Sequence, residues 1–157
     1  MGNFLGYFIK ATKTNVNFPD QFIAYDTYTC TPNQREEIKA YRDENTRELF
    51  RITADGMKTK ITFSTRGNLH KADKETIQNF FVNAESQEED SATAHKQRKV
   101  QLTYWNDEDN IYKTSYFYRP NLQFKIMGIK KTGNVDSNQN PIYDIIYEAM
   151  DFELIEY

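Results

Sequence analysis

Residue types that build reactive or cross-linked sites are scarce in this chain of 157 residues. It has one cysteine, Cys30, so an internal disulfide framework is excluded. Its two histidines, His70 and His95, have no second ligand at metal-binding spacing, which argues against a zinc site. Only six glycines and four prolines occur, which is typical of a folded domain and not of a flexible linker.

Long apolar runs and an excess of positive charge are also missing. No apolar run approaches the roughly 20 residues that cross a bilayer, and the N-terminal segment lacks the plan of a signal peptide. We therefore expect synthesis in the cytoplasm and no membrane partner. The formal net charge is −3, from 20 basic and 23 acidic residues, which argues against a surface that grips nucleic-acid phosphates.

Aromatic residues are abundant, with eleven tyrosines, eleven phenylalanines and 15% aromatic content. Such side chains bury large areas and pack well on pleated sheets. The composition favours a sheet-rich fold, and the length suits a single domain spanning residues 1–157.

Three consecutive strands are predicted within residues 99–126, the first two joined by the turn N-D-E-D-N at 106–110. Apolar and aromatic side chains recur there at alternate positions and are expected to form core: Val100, Leu102, Tyr104, Tyr112, Tyr116, Tyr118, Leu122, Phe124 and Ile126. Further strands are predicted at 7–11, 23–29, 57–65, 142–148 and 150–155, and about eight or nine strands are expected altogether.

Residues 35–53 combine charged residues with a turn signal. The flanks 38–42 and 48–53 are predicted to pair as a hairpin around the turn RDENTRE, because Asp and Asn favour turns. A helix over 35–50 is the alternative, because Glu, Lys, Ala and Arg favour helix.

One helix is predicted from about Asp73 to Ala84. Asp73 would cap it, and Ile77, Phe80, Phe81 and Ala84 would form one apolar stripe against the sheet. Polar loops are predicted at about 85–97 and 130–141. The fold expected is mainly β, an antiparallel β-sandwich or barrel-like sheet with one packed helix.

No motif points to catalysis, a cofactor or a metal. Asp107 and Asp109 resemble the start of a calcium loop, but the glycine and the final glutamate of that loop are missing. No Gly-x-Ser-x-Gly elbow or nucleotide-binding glycine loop is present. Aromatic strands could stack nucleic-acid bases or a carbohydrate, but alternating aromatics in a sheet are core first, and the charge opposes nucleic acid.

The segments PNQREEIKAYRDENTRELFR, KTKITFST, LTYWNDEDNIYKTSYFYRPNLQF and FELIEY together resemble a family of small tail proteins from phages and prophages of Gram-positive, often gut, bacteria. The resemblance spans about residues 32–157. The order of elements is also similar to the tail-tube fold of tail tube proteins and distal tail proteins.

This resemblance implies a structural protein and no enzyme. Copies would form a ring, most often a hexamer, around a channel that passes DNA as non-specific cargo. The ring would lie at the distal tail or baseplate hub and contact neighbouring tail proteins; the major tail tube is the alternative, and a glycan- or receptor-binding module is another. The protein would assemble in the host cytoplasm and end in the virion tail. Subunit contacts are expected at the 42–48 turn, through Arg42, Asp43, Asn45 and Arg47.

Overall fold

The computed structural model describes residues 2–157, and it is mainly β within this range. Strands hold 49% of the chain and helices 17%, and all strand pairs are antiparallel, so the predicted fold class is confirmed. The strands are β1 (Ile9–Ala11), β2 (Val16–Asn17), β3 (Ile23–Gln34), β4 (Glu37–Arg42), β5 (Leu49–Thr53), β6 (Lys58–Thr65), β7 (Leu69–His70), β8 (Lys99–Asn106), β9 (Ile111–Tyr118), β10 (Ile126–Val135), β11 (Pro141–Tyr147) and β12 (Asp151–Glu156). The helices are a short 3-10 helix (Asp20–Phe22), α1 (Lys71–Ser86) and α2 (Ser91–Gln97).

The described strands form three sheets. The largest has seven strands in the order β2-β1-β8-β9-β12-β6-β3, and it is open because its end strands do not pair with each other. A smaller sheet has the order β10-β11-β7, and β4 and β5 form a two-stranded ribbon by themselves. The described strands therefore form no closed barrel.

Helix α1 covers one face of the large sheet with the predicted apolar stripe. Ile77, Phe80, Phe81 and Ala84 are all buried, as the spacing predicted. Phe81 stacks on Phe152 of β12 with ring centroids 5.6 Å apart. Ile61 and Phe63 of β6 are buried in the same core, which confirms the predicted alternation of that strand. None of the described helices is long and apolar enough to span a membrane.

The predicted limits of the helix, Asp73–Ala84, are two residues short at each end. Asp73 lies in the first turn and does not precede the helix, so its assignment as the cap is wrong. Its Oδ2 instead accepts the backbone N–H of His70 at 3.0 Å, the reaching-back contact of a capping box. An acidic side chain can stabilise the start of a helix from several positions, and the sequence pattern alone does not show which position it occupies.

The predicted loop at 85–97 is wrong in its second half, which forms α2. Asp90 caps this helix, since its Oδ1 accepts the N–H of Thr93 at 3.2 Å. Ala94 is its one buried side chain, so the helix is too short and too polar to show an apolar period. Part of the predicted loop at 85–97 is thus a second helix.

Two further predictions near the C-terminal half are wrong. Residues 122–126 do not form a strand, because the chain is irregular after Pro120 and pairing resumes at Ile126. Leu122 still packs on the core, which explains its apolar character. The loop at 130–141 is mostly strand, with β10 continuing to Val135 and β11 starting at Pro141. The number of strands rises accordingly from the predicted eight or nine to twelve in residues 2–157.

The tyrosines of β9 do share a face, but that face is not core. Tyr112, Tyr116 and Tyr118 are half-buried on the outer side, whereas Phe117 between them is fully buried. On β8 the prediction is confirmed, because Val100, Leu102 and Tyr104 are all buried. Tyr112 and Tyr118 instead pack against other aromatic rings, and the Lys99 ammonium lies 4.8 Å from the Tyr116 ring.

Candidate assembly surfaces

Two hairpins carry most of the exposed large apolar side chains. The first arm, residues 37–53, consists of β4, β5 and their turn; the second arm, residues 126–147, consists of β10, β11 and their turn. These side chains of the arms are more than 40% exposed: Ile38, Tyr41, Leu49, Phe50, Ile52, Ile126, Met127, Ile129, Val135, Ile142 and Tyr143. Large contiguous apolar surface of this kind marks interaction sites on soluble proteins.

The first arm is inserted between β3 and β6 and leaves the large sheet at their paired ends. Its base is fixed by Arg35, whose Nη1 donates to the carbonyl of Asp55 at 2.9 Å. Beyond the base, every residue of β4 is exposed. The arm therefore presents both faces and both edges of a two-stranded ribbon.

One face of the first arm is aromatic. Tyr41 and Phe50 lie directly opposite each other and stack with ring centroids 5.3 Å apart. Ile52 extends this face, and the Lys39 ammonium lies 5.2 Å from the Tyr41 ring. Leu49 lies on the opposite face, and Ile38 lies at the irregularity between Glu37 and Lys39; both are exposed, so apolar side chains are also present outside the aromatic face.

The structure brings the four predicted site residues together at the tip of the first arm. The Oδ1 of Asp43 accepts the N–H groups of Asn45 and Thr46, each at 2.8 Å. These bonds, that from Thr46 first, lower the pKa of Asp43. Arg42 Nη1 donates to the carbonyl of Arg47 at 3.0 Å, and Arg47 has a left-handed backbone with φ of 66°.

This network shapes the turn, and it also fixes where the two guanidinium groups emerge. The charged tip was identified from the sequence, but the apolar faces behind it were missed. A signal for them was present, because β-branched and aromatic residues occupy both alternating sets of positions in the two flanks.

One face of the second arm packs on the core at the base of the arm, and the same face is exposed farther out. At its base Tyr147 is buried and Ile145 packs on the core. Further out on the same face, Tyr143 is 48% exposed, and Ile129, the cross-strand partner of Ile145, is 70% exposed. The far edge of β10 pairs with no other described strand, so ten residues of backbone are open along it.

Asp144 fixes the second arm to the start of α1. Its Oδ2 contacts His70 Nδ1 at 2.6 Å, and its Oδ1 accepts the Lys71 N–H at 3.2 Å. The bond to His70, followed by that from Lys71, lowers the pKa of Asp144. The arm is thereby positioned relative to the core, while residues 129–143 are exposed.

A separate aromatic cleft lies beside the start of the chain. Its volume is about 540 Å³, and its walls include Phe4, Phe8, Tyr25, Tyr28 and Cys30. The hydroxyl of Tyr28 is buried without a hydrogen-bond partner among the described residues. Burial, with a smaller effect of the charge on Asp107, raises the pKa of Cys30 to about 11. The thiol is therefore protonated at neutral pH and a poor nucleophile.

One hydrogen-bond chain resembles a catalytic triad. Glu85 Oε2 lies 2.8 Å from His95 Nδ1, and His95 Nε2 lies 3.3 Å from Ser86 Oγ. The Ser86 hydroxyl, however, donates to the Val82 carbonyl at 2.9 Å, and it lies at the C-terminal end of α1, where the dipole disfavours an oxyanion. The arrangement is thus better suited to joining the two helices than to acyl transfer.

Fold and surface together define an open antiparallel β protein with two projecting apolar hairpins. The sequence profile of the family of unknown function DUF6711 matches residues 1–157, so the chain belongs to that family. No curated protein matches the sequence.

Proposed function

We propose that this protein is a structural subunit of a bacteriophage or prophage-derived tail. Copies would associate into a ring, a hexamer by analogy with the tail-tube fold, at the distal tail or baseplate hub around the DNA channel. The observation that carries the proposal is the uncovered apolar surface of the two arms. The sequence resemblance to small tail proteins supplies the tail context and the neighbouring tail proteins as further partners.

Physical reasoning favours a protein partner for the arms. A two-stranded ribbon is marginal in water by itself, and each large apolar side chain gains about 1.5–3 kcal/mol when it is fully covered. Because the arms lie on different parts of the chain, one subunit offers two distinct patches, as a head-to-tail contact requires. Such contacts close into rings when the rotation between subunits allows it.

The charge of the chain suits passage of DNA better than capture of DNA. A net charge of −3 repels phosphates, so DNA would slide through a ring and not adhere to it. The two guanidinium groups at the tip of the first arm, on Arg42 and Arg47, would reach a neighbouring subunit.

The test removes apolar surface from the arms without disturbing the core. The variants are Tyr41→Thr with Ile52→Thr on the first arm, and Ile129→Thr on the second, because threonine keeps strand propensity. We expect each to weaken association at least about tenfold, which is about 1.4 kcal/mol. Native mass spectrometry and sedimentation velocity across a concentration series measure this.

The matched control is Val82→Thr, which changes a 41% exposed apolar residue on α1 outside both arms. It is expected to leave association unchanged. Monomers at all concentrations and in tail preparations would overturn the ring, and equal association of arm variants and control would overturn the role of the arms.

The charged tip is tested separately by replacing Arg42 and Arg47 together with Glu. Both side chains are exposed, so we expect weaker ring formation with an unchanged melting temperature. Unchanged assembly would remove the tip from the interface while leaving the apolar faces in place.

Position in the tail is decided by immunogold labelling of particles. We favour the distal hub over the major tube, since the long projecting arms suit a junction between different proteins. Gold at the tail end supports the hub, whereas gold along the whole tail supports the tube.

A glycan-binding module is the second candidate, and the aromatic cleft favours it. Aromatic rings with one unpaired hydroxyl resemble the walls of many ligand sites. Binding on a glycan array that is lost in Tyr25→Ala, by a protein that stays monomeric, would support this candidate over the ring.

A further inference from the structure

A second cleft, which is lined by charged groups and not by aromatic ones, lies between α1, α2 and the segment after β9. Its volume is about 260 Å³. The groups that dominate it are Glu85, His95, Arg98 and Arg119. A water molecule takes roughly 30 Å³ in the liquid, so the cleft is larger than a single bridging water requires.

The cleft contains more positive charge than its own carboxylate neutralises. Glu85 is 3% exposed, and one of its oxygens is engaged by His95 at 2.8 Å. The other oxygen, Oε1, lies 3.9 Å from Nη2 of Arg119, which is beyond hydrogen-bonding distance. Two guanidinium groups thus face one carboxylate, which leaves one positive charge even with His95 neutral.

Arg119 is held in place with hydrogen-bonding capacity to spare. Its guanidinium carbon lies 4.8 Å from the centre of the Phe81 ring, a cation–π contact that helps to hold the group in place. Its Nε is buried without a partner among the described residues, which is an unfavourable state for a charged donor. Burial lowers the pKa of Arg119, Glu85 opposes this, and the nearby charge of Arg98 lowers it further.

Arg98 occupies a backbone position that suits another residue better. It follows α2 with φ of 54°, the left-handed conformation usually taken by Gly or Asn after a helix. A non-glycine residue is strained in this conformation, and strained residues are often found at functional sites. The strained residue thus places a second positive charge beside the first.

We propose that this cleft binds a small oxyanion, a carboxylate or a phosphate, between Arg98 and Arg119. The oxyanion supplies the negative charge that Glu85 alone does not. Its oxygens accept hydrogen bonds from the guanidinium groups, for which planar, forked donors are well matched. The site is independent of the arms and of ring formation, since all its groups come from one chain.

The test is equilibrium dialysis of the full-length protein with radiolabelled inorganic phosphate and, separately, acetate. Ionic strength is held constant with sodium chloride so that general screening does not contribute. We expect saturable binding near one oxyanion per chain. Preference for acetate points to an acidic or C-terminal group of a protein as the natural source, and preference for phosphate to free phosphate.

Arg98→Asn is the decisive variant, because asparagine tolerates the left-handed backbone while removing the charge. We expect binding at least tenfold weaker, with an unchanged circular dichroism spectrum. Arg66→Asn, at an exposed arginine outside the cleft, is the matched control and should bind as the wild type does. Glu85→Gln removes the competing carboxylate and should tighten binding, the opposite sign.

Two results would overturn the proposal. One is the absence of saturable binding of both oxyanions to the wild-type protein. The other is equal affinity in Arg98→Asn and the wild type.

Discussion

At the scale of single residues, asparagine occupies backbone positions with positive φ that glycine occupies in many proteins. Among residues 2–157, seven non-glycine residues have positive φ, and four of them are Asn15, Asn33, Asn68 and Asn110. Asparagine adopts this conformation at low cost because its short polar side chain bonds locally. The scarcity of glycine therefore does not make the chain poor in tight turns.

Cys30 provides a prediction about reactivity. With its pKa raised to about 11, the thiolate fraction at pH 8 is about two-hundredfold smaller than that of a free thiol with a pKa of about 8.5. We expect alkylation by iodoacetamide at pH 8 to be about two-hundredfold slower than for free cysteine. Its rate should rise nearly tenfold per pH unit up to about pH 10.

The measurement is mass spectrometry of the time course, with urea-unfolded protein as the control. Unfolding should restore the rate of an ordinary thiol. Fast alkylation of the folded protein would mean that the cleft around Cys30 supplies a thiolate and is reactive.

At the scale of elements, a helix or strand was predictable where its apolar pattern extended over more than one helical turn or more than one alternation along a strand. Helix α1 followed from the stripe that includes Ile77 and Phe81, and the hairpin over the first arm was confirmed against the helix alternative. The short α2 was not predictable, because one buried residue, Ala94, gives no period. Leu122 and Phe124 suggested a strand. Leu122 packs on the core from an unpaired segment, where an apolar side chain is needed just as in a strand, whereas Phe124 is 42% exposed.

The exposure of the arms escaped sequence analysis for a related reason. Apolar residues in a strand predict burial, but they do not say whether the cover comes from the same chain. Of the predicted site, the sequence located the turn with Asp43 and Asn45; their contact with a neighbouring subunit stays a prediction.

Asp144 allows the attachment of the second arm to be tested. Its pKa is lowered in the folded state, so its contribution to stability is present above its unfolded pKa, near 3.8. That contribution is lost as the pH falls through the lower folded value. We expect Asp144→Asn to reduce the free energy of unfolding at pH 7, and the difference from wild type to shrink as the pH falls below 3.8.

Urea unfolding at a series of pH values measures this difference. Hydrogen exchange should also be faster in β7 and the base of β11 in the variant, since these strands pair beside His70. Asp26→Asn, at an exposed aspartate of β3, is the control and should show neither effect. A difference that persists at the lowest pH would place the effect of Asp144 in packing and not in charge.

At the scale of the whole molecule, edges and charge act on association in different ways. The large sheet ends in β3, and the small sheet ends in β10, both long and without a further partner among residues 2–157. Natural proteins rarely leave long edges open unless a partner covers them. The net charge of −3 is small, so repulsion between copies is weak and leaves association to local contacts.

The response of the ring to salt separates the two parts of the proposed interface. If the apolar faces of the arms dominate, association should be unchanged or stronger between about 0.05 and 1 M sodium chloride, and sodium sulfate should strengthen it. If Arg42 and Arg47 dominate, the same salt should weaken it, because the Debye length falls from more than 10 Å to about 3 Å. We expect the first result, since the arms expose eleven large apolar side chains and the tip only two arginines.

Sedimentation velocity at each salt concentration measures this response of association to salt, with the Arg42→Glu, Arg47→Glu double variant beside the wild type. Weakening by salt in the wild type but not in the double variant would assign the interface to the charged tip.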